Sequence, residues 1–229
     1  MNEDKKNVVI SLGGSLIVPD EIDVDFLREF KELILKKVDE GCKFAIITGG
    51  GKTNKRYNEA ARKLTEPSNE DLDWIGIASI KLNAELIRVV FSEQANKKVV
   101  ENPSQEFLFE KSIVVGSAFG PGRSSDWDAV EAAKSIGAKE IINLSNTDYV
   151  YDSDPKINPN AQKIEQISWP DYRKFIPAEW TARLHSPFDP VASKSAEAAG
   201  LKVIIMNGKP LTNLKNYLAG EKFKGTIIS

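Results

Sequence analysis

Histidine, cysteine and methionine are nearly absent from this chain, which has one His, one Cys and two Met in 229 residues. A single cysteine, Cys42, excludes an intrachain disulfide and suits a reducing compartment. The single histidine, His185, has no second histidine or cysteine cluster to join. That argues against a protein-held metal and against a Ser-His-Asp nucleophile. No charge sign predominates: 31 Lys+Arg against 33 Asp+Glu gives −2, so the basic footprint of a nucleic-acid binder is missing. No apolar run approaches the roughly 18 residues that cross a bilayer. The polar start, Met1 to Lys6, is unlike a signal peptide. A cytoplasmic protein without a membrane partner is the expectation. Internal repeats, low-complexity tracts and flexible linkers are also missing, which points to one domain over residues 1–229.

What is present is an alternation of short β-branched runs with longer amphipathic segments, the pattern of βαβ units around a parallel sheet. Strands are predicted near 7–12, 43–48, 112–116, 140–144 and 202–206, with an edge strand at 225–228. A helix starting near Asp23 or Asp25 carries Leu27, Phe30, Ile34 and Val38 on one face and stops at Gly41. A longer one follows Ser68, whose spacing to Asp71 is that of a capping box. Its predicted buried stripe is Leu72, Ile75, Leu82, Leu86 and Val90, with Ser79 in the gap. Ser125 is the predicted cap of a third helix that ends at Gly137, and Asp189-Pro190 opens a fourth that Gly200 closes. Residues 152–190, with six prolines, Trp169, Trp180 and His185, read as loops and one short helix over an edge or mouth of the sheet.

Three of these strands end in glycine turns: Gly13-Gly14-Ser15, Gly49-Gly50-Gly51 and Gly120-Pro121-Gly122. Glycine lets backbone amides approach an anion with no Cβ in the way, and the carboxyl ends of strands are where open α/β sheets bind ligands. Each turn alone is ordinary turn chemistry; three together point to phosphate. Lys52, Lys55 and Arg56 follow the triplet. Neither a Walker sequence nor G-x-G-x-x-G after a strand occurs. Ser124-Ser125-Asp126 reads either as a helix cap or as hydroxyls and a carboxylate arranged around a transferring phosphoryl. The stretch from Asn143 to Lys156 is either a turn-rich loop or a surface that reads a ribose, a base and phosphates. Asp73 near a helix start either favours the helix dipole or binds a ligand.

Taken in order, these motifs resemble the amino-acid-kinase superfamily, and within it the archaeal-type uridylate kinases. The likeness runs from about Val8 to Ile228, through Gly13-Gly14-Ser15, Gly49-Gly50-Gly51-Lys52, Asp73-Trp74-Ile75-Gly76-Ile77, Ser124-Ser125-Asp126, Asn146-Thr147-Asp148, Asp154-Pro155-Lys156, Asp189-Pro190 and Gly225-Thr226-Ile227. It implies a three-layer αβα sandwich around a mainly parallel sheet, with an acceptor-side lobe over about 1–140 and an ATP-side lobe over about 141–229. It also implies a homo-oligomer, often a hexamer, that transfers the γ-phosphoryl of ATP to UMP, with Mg2+ carried by ATP. Under this resemblance Gly13, Gly14, Lys52 and Asp126 are catalytic. Gly50, Gly51, Lys55, Arg56, Asp73, Ser124 and Ser125 bind the acceptor, and Ser11, Ser145, Asn146, Tyr151, Asp154 and Lys156 bind ATP. Ser11 stands where many superfamily members have lysine, as in the archaeal branch. Lys55 stands in place of an arginine that grips the acceptor phosphate, and Tyr149 in place of a glycine. The loop Ala118–Arg123 is one residue longer and lacks a threonine. Two other readings of the scaffold are a non-catalytic nucleotide or oxyanion binder and a kinase of another small acid.

Overall fold

The computed structural model describes residues 7–155, 157–178 and 186–229. Its first half alternates strand and helix: β1 (Asn7–Leu12), the single turn α1 (Gly14–Ile17), α2 (Val24–Asp39), β2 (Lys43–Thr48), α3 (Gly51–Leu64), α4 (Asn69–Val90) and β3 (Ile113–Gly116). The second half runs α5 (Ser125–Ile136), β4 (Glu140–Ser145), β5 (Val150–Tyr151), β6 (Lys163–Ile164), β7 (Gln166–Ile167), α6 (Trp169–Tyr172), α7 (Pro190–Ala198), β8 (Lys202–Asn207), α8 (Thr212–Leu218) and β9 (Thr226–Ile228).

Seven strands form one sheet in the order β3-β2-β1-β4-β8-β9-β7, and β5 pairs with β6 apart from it. Every pairing in the large sheet is parallel except β8 with β9. Alternate residues of a strand face opposite sides, and the core divides accordingly. Val8, Ile10, Phe44, Ile46, Ile142 and Ile204 pack with Phe30, Ile34, Ile87 and Leu214 of α2, α4 and α8. Val9, Ala45, Ile141, Val203 and Ile205 pack with Val130, Tyr172 and Ala196 of α5, α6 and α7. This is the αβα sandwich expected from the sequence.

Asp23 caps α2 through Phe26 N, Ser68 and Asp71 form the reciprocal capping box of α4, and Asp189 caps α7 with Pro190 inside its first turn. Three expectations need correction. The cap of α5 is Ser124, whose hydroxyl accepts from Asp126 N and Trp127 N; Ser125 is the first helical residue. β9 is not an edge strand, because the two residues of β7 pair outside it. On α4 the buried positions are Leu72, Gly76, Ile77, Ser79, Asn83, Ala84 and Ile87, so the inward face is rotated from the predicted stripe. Leu82 is 64 % exposed there, alongside Trp74 at 51 % and Val89 at 57 %. The helix α3, for which the sequence carries no prediction, has no apolar stripe: Asn58 is its one buried residue. The described part of 152–190 holds the two-residue strands β6 and β7 as well as α6. Lys156, Trp180 and His185 lie outside the described residues.

Candidate functional site

The carboxyl ends of β1 and β2 run directly into each other's turns. Gly13 N donates to Leu144 O at 2.8 Å, and Gly49 N to Leu12 O at 3.0 Å, so the first two glycine turns are tied to the sheet and to each other. Their approach leaves no room for side chains. A Cβ on Gly14 would lie 2.0 Å from Gly51 N, and one on Gly51 would lie 2.3 Å from Gly14 O. Gly51 also holds φ +62°, in the left-handed region. Asn83, buried mid-helix on α4, donates from Nδ2 to Gly49 O at 2.7 Å and fixes the second turn from below. No side chain caps α3, and of its first-turn amides Lys52 N donates to Val18 O at 3.0 Å. A 14-residue helix entered through glycine with an uncapped end matches the requirements of an anion site.

Beside this wall, two helix N-termini are knotted together by their own caps. One oxygen of Asp189 caps α7 through Val191 N and Ala192 N. The other accepts the hydroxyl of Ser124, the cap of α5. Asp189 N in turn donates to Asp126 Oδ2 at 3.2 Å, while Asn143 Nδ2 donates to Asp126 Oδ1 at 2.9 Å. The Ser11 hydroxyl completes the shell of Asp126. Phe188, which precedes Asp189, is held through both its N–H and its C=O by the Tyr172 hydroxyl. Burial, reinforced by the like charge of Asp189, pushes the Asp126 carboxyl up to about 7 against the pull of Asp189 N–H, Asn143 and Ser11. A carboxyl raised in this way by burial and a like-charged neighbour is a feature concentrated at functional sites.

Two residues further along α5, Asp128 is 1 % exposed and its Oδ1 has no hydrogen-bond partner. Burial raises its carboxyl to about 8, opposed by Arg123 and reinforced by Asp126, Glu131 and Asp189. Below its ordinary value of 3.8 both folded and unfolded chains are protonated; above it the unfolded chain alone ionises, so stability falls until about pH 8. Asp128→Asn removes that loss. Thermal scans are expected to show equal melting near pH 4 and a more stable variant at pH 8, by up to about 4 kcal/mol. That gain corresponds to a rise in Tm of about 10 °C. A wild-type-like decline with pH in the variant would remove Asp128 as the cause.

Two hollows flank these elements. The first, of about 220 Å³, lies between α3 and α4 and is lined by Gly50, Asn54, Asn58, Leu72, Asp73, Gly76, Ile77, Ile80, Ala118, Gly120, Arg123, Ser124 and Ser125. Asp73 Oδ2 accepts from Gly122 N at 2.8 Å, which draws the third glycine turn over the hollow. Arg123 lies over the Trp127 ring at 4.2 Å. The second, of about 1170 Å³, opens past the ends of β4 and β8, between Asp148, Tyr149, Lys163, Asn207, Lys209 and the segment Gly220–Gly225. Here Asn207 Nδ2 donates to Asp148 Oδ1 at 2.8 Å, and Lys209 pairs with Asp23.

The structure brings Gly50, Asp73, Ser124 and Ser125 to one hollow, with Gly13, Gly14 and Gly51 in the adjoining glycine interlock. Ser11 and Asp126 meet behind it. The cations of α3 turn elsewhere: Arg56 and Lys52 face Asp20 at 2.8 and 3.8 Å, and Lys55 faces Glu59 at 3.9 Å. Ser145 ends β4 and Asn146 follows it in the turn, where Thr147 N donates to Ser145 Oγ. Tyr151 lies on β5, and Asp154 O accepts from Ile157 N and Asn158 N. None of these four lines the larger hollow. Lys156 lies outside the described residues. Sequence reasoning missed Asn207, Gly208 and Lys209, although Asn207-Gly208 is a fourth glycine turn at a strand end. Gly208 N donates to Ser145 O, joining the turns after β4 and β8. Asn83 was missed too; a polar residue inside a helical stripe was its only signal.

A mostly parallel sheet with helices on both faces, whose adjacent strand ends interlock through glycines, defines an α/β protein of the three-layer sandwich class. The chain belongs to the amino acid kinase family, whose model matches residues 6–207. It is 33 % identical over 224 residues to a uridylate kinase of Thermococcus sibiricus, covering 96 % of this chain and 98 % of that protein. It is likewise 33 % identical over 227 residues to a uridylate kinase of Methanococcus aeolicus, covering 97 % and 99 %. The crystal structure of uridylate kinase from Archaeoglobus fulgidus superimposes with a TM-score of 0.80 at 31 % identity, over 97 % of this chain and 99 % of that one.

Proposed function

We propose that this chain is a nucleoside monophosphate kinase that moves the γ-phosphoryl of ATP to UMP, giving UDP and ADP. The observation that carries the reading is the interlock of Gly14 with Gly49 and Gly51, which sets bare backbone between the two hollows. The relatives named above as uridylate kinases, aligned over nearly the whole chain, support UMP as acceptor. The hollow between α3 and α4 takes UMP: Gly50, Gly51, Ser124 and Ser125 at the phosphate, Asp73 at the ribose hydroxyls. For that, Asp73 exchanges its bond with Gly122 N for bonds to the ribose. We assign ATP to the larger hollow; Ser145, Asn146, Tyr151 and Asp154 do not line it, and these four, with Lys156, are assigned to ATP by the family resemblance alone.

An acceptor phosphate oxygen attacks in line, and no covalent enzyme intermediate is needed; positioning and charge stabilisation supply the rate. Gly13 and Gly14 present amides to the transferring group, Lys52 supplies positive charge, and Asp126 orders Ser11, Asn143 and the start of α7 around it. Among the described residues no group of three or more His, Cys, Asp or Glu is arranged to hold a metal. Mg2+ carried by ATP would be held by the nucleotide phosphates and water and would neutralise charge on the transferring group. The same reading divides the single domain into an acceptor-side lobe over about 1–140 and an ATP-side lobe over about 141–229.

No described helix is long and apolar enough to cross a membrane, and we place the protein in the cytoplasm. Trp74, Leu82 and Val89 form an exposed apolar strip on α4. It suits a contact between copies in a homo-oligomer, a hexamer by family likeness. An ADP-release assay over UMP, CMP, AMP and GMP tests the activity, with light scattering for the mass. UMP is expected to be the best acceptor, in particles several times the 25.3 kDa chain mass. ATP binding without turnover of any of the four would overturn the enzyme reading.

A further inference from the structure

We infer that Asn58, with Asn54 one turn before it on α3, reads the edge of the acceptor base. Asn58 is the sole buried residue of a helix whose other residues face solvent or neighbouring helices only partly. At 6 % exposed it occupies the position where an aliphatic side chain would be least costly. Its Nδ2 donates to Asn54 Oδ1 at 2.8 Å, which fixes the orientation of the Asn58 amide. Its Oδ1, buried, has no partner at all. An acceptor left dry in a protein interior costs free energy that a ligand donor returns. Asn58 is among the residues that line the 220 Å³ hollow, as is Asn54. Asn54 Nδ2 stands 3.3 Å from the points where Cβ atoms on Gly50 and Gly76 would lie.

The spacing agrees with a nucleotide. Gly50, Asn54 and Asn58 recur at four-residue intervals along one face of α3, so Asn58 lies about 12 Å along the helix from Gly50. A phosphate at the glycine end places the far edge of a pyrimidine nucleotide near Asn58. Uracil presents N3–H between two carbonyl oxygens. N3–H suits the unfilled Asn58 Oδ1, and a flanking carbonyl suits the Asn54 amide N–H. Cytosine presents a bare acceptor at N3, which faces Asn58 Oδ1 oxygen to nitrogen with no proton between them. The pair thus favours uracil over cytosine, as sites built to bond a particular polar edge reject its mismatch. This inference rests on the nucleoside monophosphate reading of the hollow and adds the residues that choose the base.

Steady-state kinetics of the full chain with UMP and CMP tests it in three arms: wild type, Asn58→Leu and Asn54→Ala. Asn58→Leu keeps volume and removes the acceptor. It is expected to raise the KM for UMP about tenfold, leave kcat within twofold, and shrink the UMP-over-CMP preference by a similar factor. Thermal melting is expected to be unchanged or higher, because an unsatisfied buried atom is gone; a merely structural role would lower melting and leave the preference alone. Asn54→Ala, on the half-buried side of the pair, is expected to move the preference the same way. The wild-type enzyme with N3-methyl-UMP supplies a further arm that depends on no variant. Loss of at least tenfold in kcat/KM is expected, because the donor is replaced by a methyl group. If wild type prefers UMP, and both the variants and the methylated nucleotide leave that preference unchanged, the inference fails while the kinase reading stands. If wild type phosphorylates no nucleoside monophosphate, both fall together.

Discussion

Asp126→Ala is expected to lower kcat by about 10²–10³-fold, the range seen when one preorganised polar group is taken from a reacting centre. The carboxylate joins four separate pieces of the chain: Ser11 on β1, Asn143 on β4, its own helix α5, and the backbone of Asp189 at the head of α7. Without it Asn143 Nδ2 and Asp189 N lose their acceptor, and the strand ends that present glycine amides are no longer braced against the two helix starts. Misplacement of reacting groups by about 1 Å is enough to cost a hundredfold. UMP and ATP contact other residues, so their KM values are expected to move by less than kcat. The pH profile separates charge from shape. The carboxyl titrates near 7 in the folded protein, so wild-type turnover is expected to climb through that pH as the carboxylate forms and takes both N–H bonds. In Asp126→Asn that limb is expected to disappear. A kcat for Asp126→Ala within threefold of wild type would remove the residue from the mechanism.

Gly14→Ala is expected to abolish measurable turnover and to destabilise the fold by about 3 kcal/mol or more, the upper end of overpacking costs. The added Cβ falls 2.0 Å from Gly51 N and 2.6 Å from Gly49 C, both backbone, so no rotamer change relieves it. The β1 and β2 ends must separate, and the amides on both sides move. Gly41→Ala is the control. There φ is +95°, but nothing lies within 4 Å, so only conformational strain is added. Its expected cost is about 1–3 kcal/mol with turnover intact. Equal kinetics for Gly14→Ala and Gly41→Ala would show that the interlock has no part in catalysis.

The central strands were legible because a buried parallel strand is a continuous β-branched run, and β1, β2 and β8 are such runs. Caps at Asp23, Ser68 and Asp189 were legible because each precedes an amphipathic stretch at the right spacing. α3 was not, since periodicity needs more than one buried position, and its inward residue is an asparagine. The face of α4 was misjudged for a related reason. Its inward positions include Gly76, Ser79, Asn83 and Ala84, small or polar residues that sit close to strands and turns, while large apolar Trp74, Leu82 and Val89 face out. β5, β6 and β7 have two residues each, too few to show any period. Glycine turns pointed to the correct end of the sheet. The knot between Ser124 and Asp189 could not be read, because it joins residues 65 positions apart whose local patterns each look like a simple cap.

Asp20 gives the ion pairs at the start of α3 a further meaning. Lys52 and Arg56 share this one carboxylate, whose side chain is 72 % exposed. Exposed pairs of this kind contribute at most about 1 kcal/mol, so they are readily given up. A phosphate that draws Lys52 or Arg56 away from Asp20 therefore takes part in an ion exchange rather than meeting two bare cations. Fewer counterions are released from solution than the number of nearby basic residues suggests, and nucleotide affinity is correspondingly less sensitive to salt.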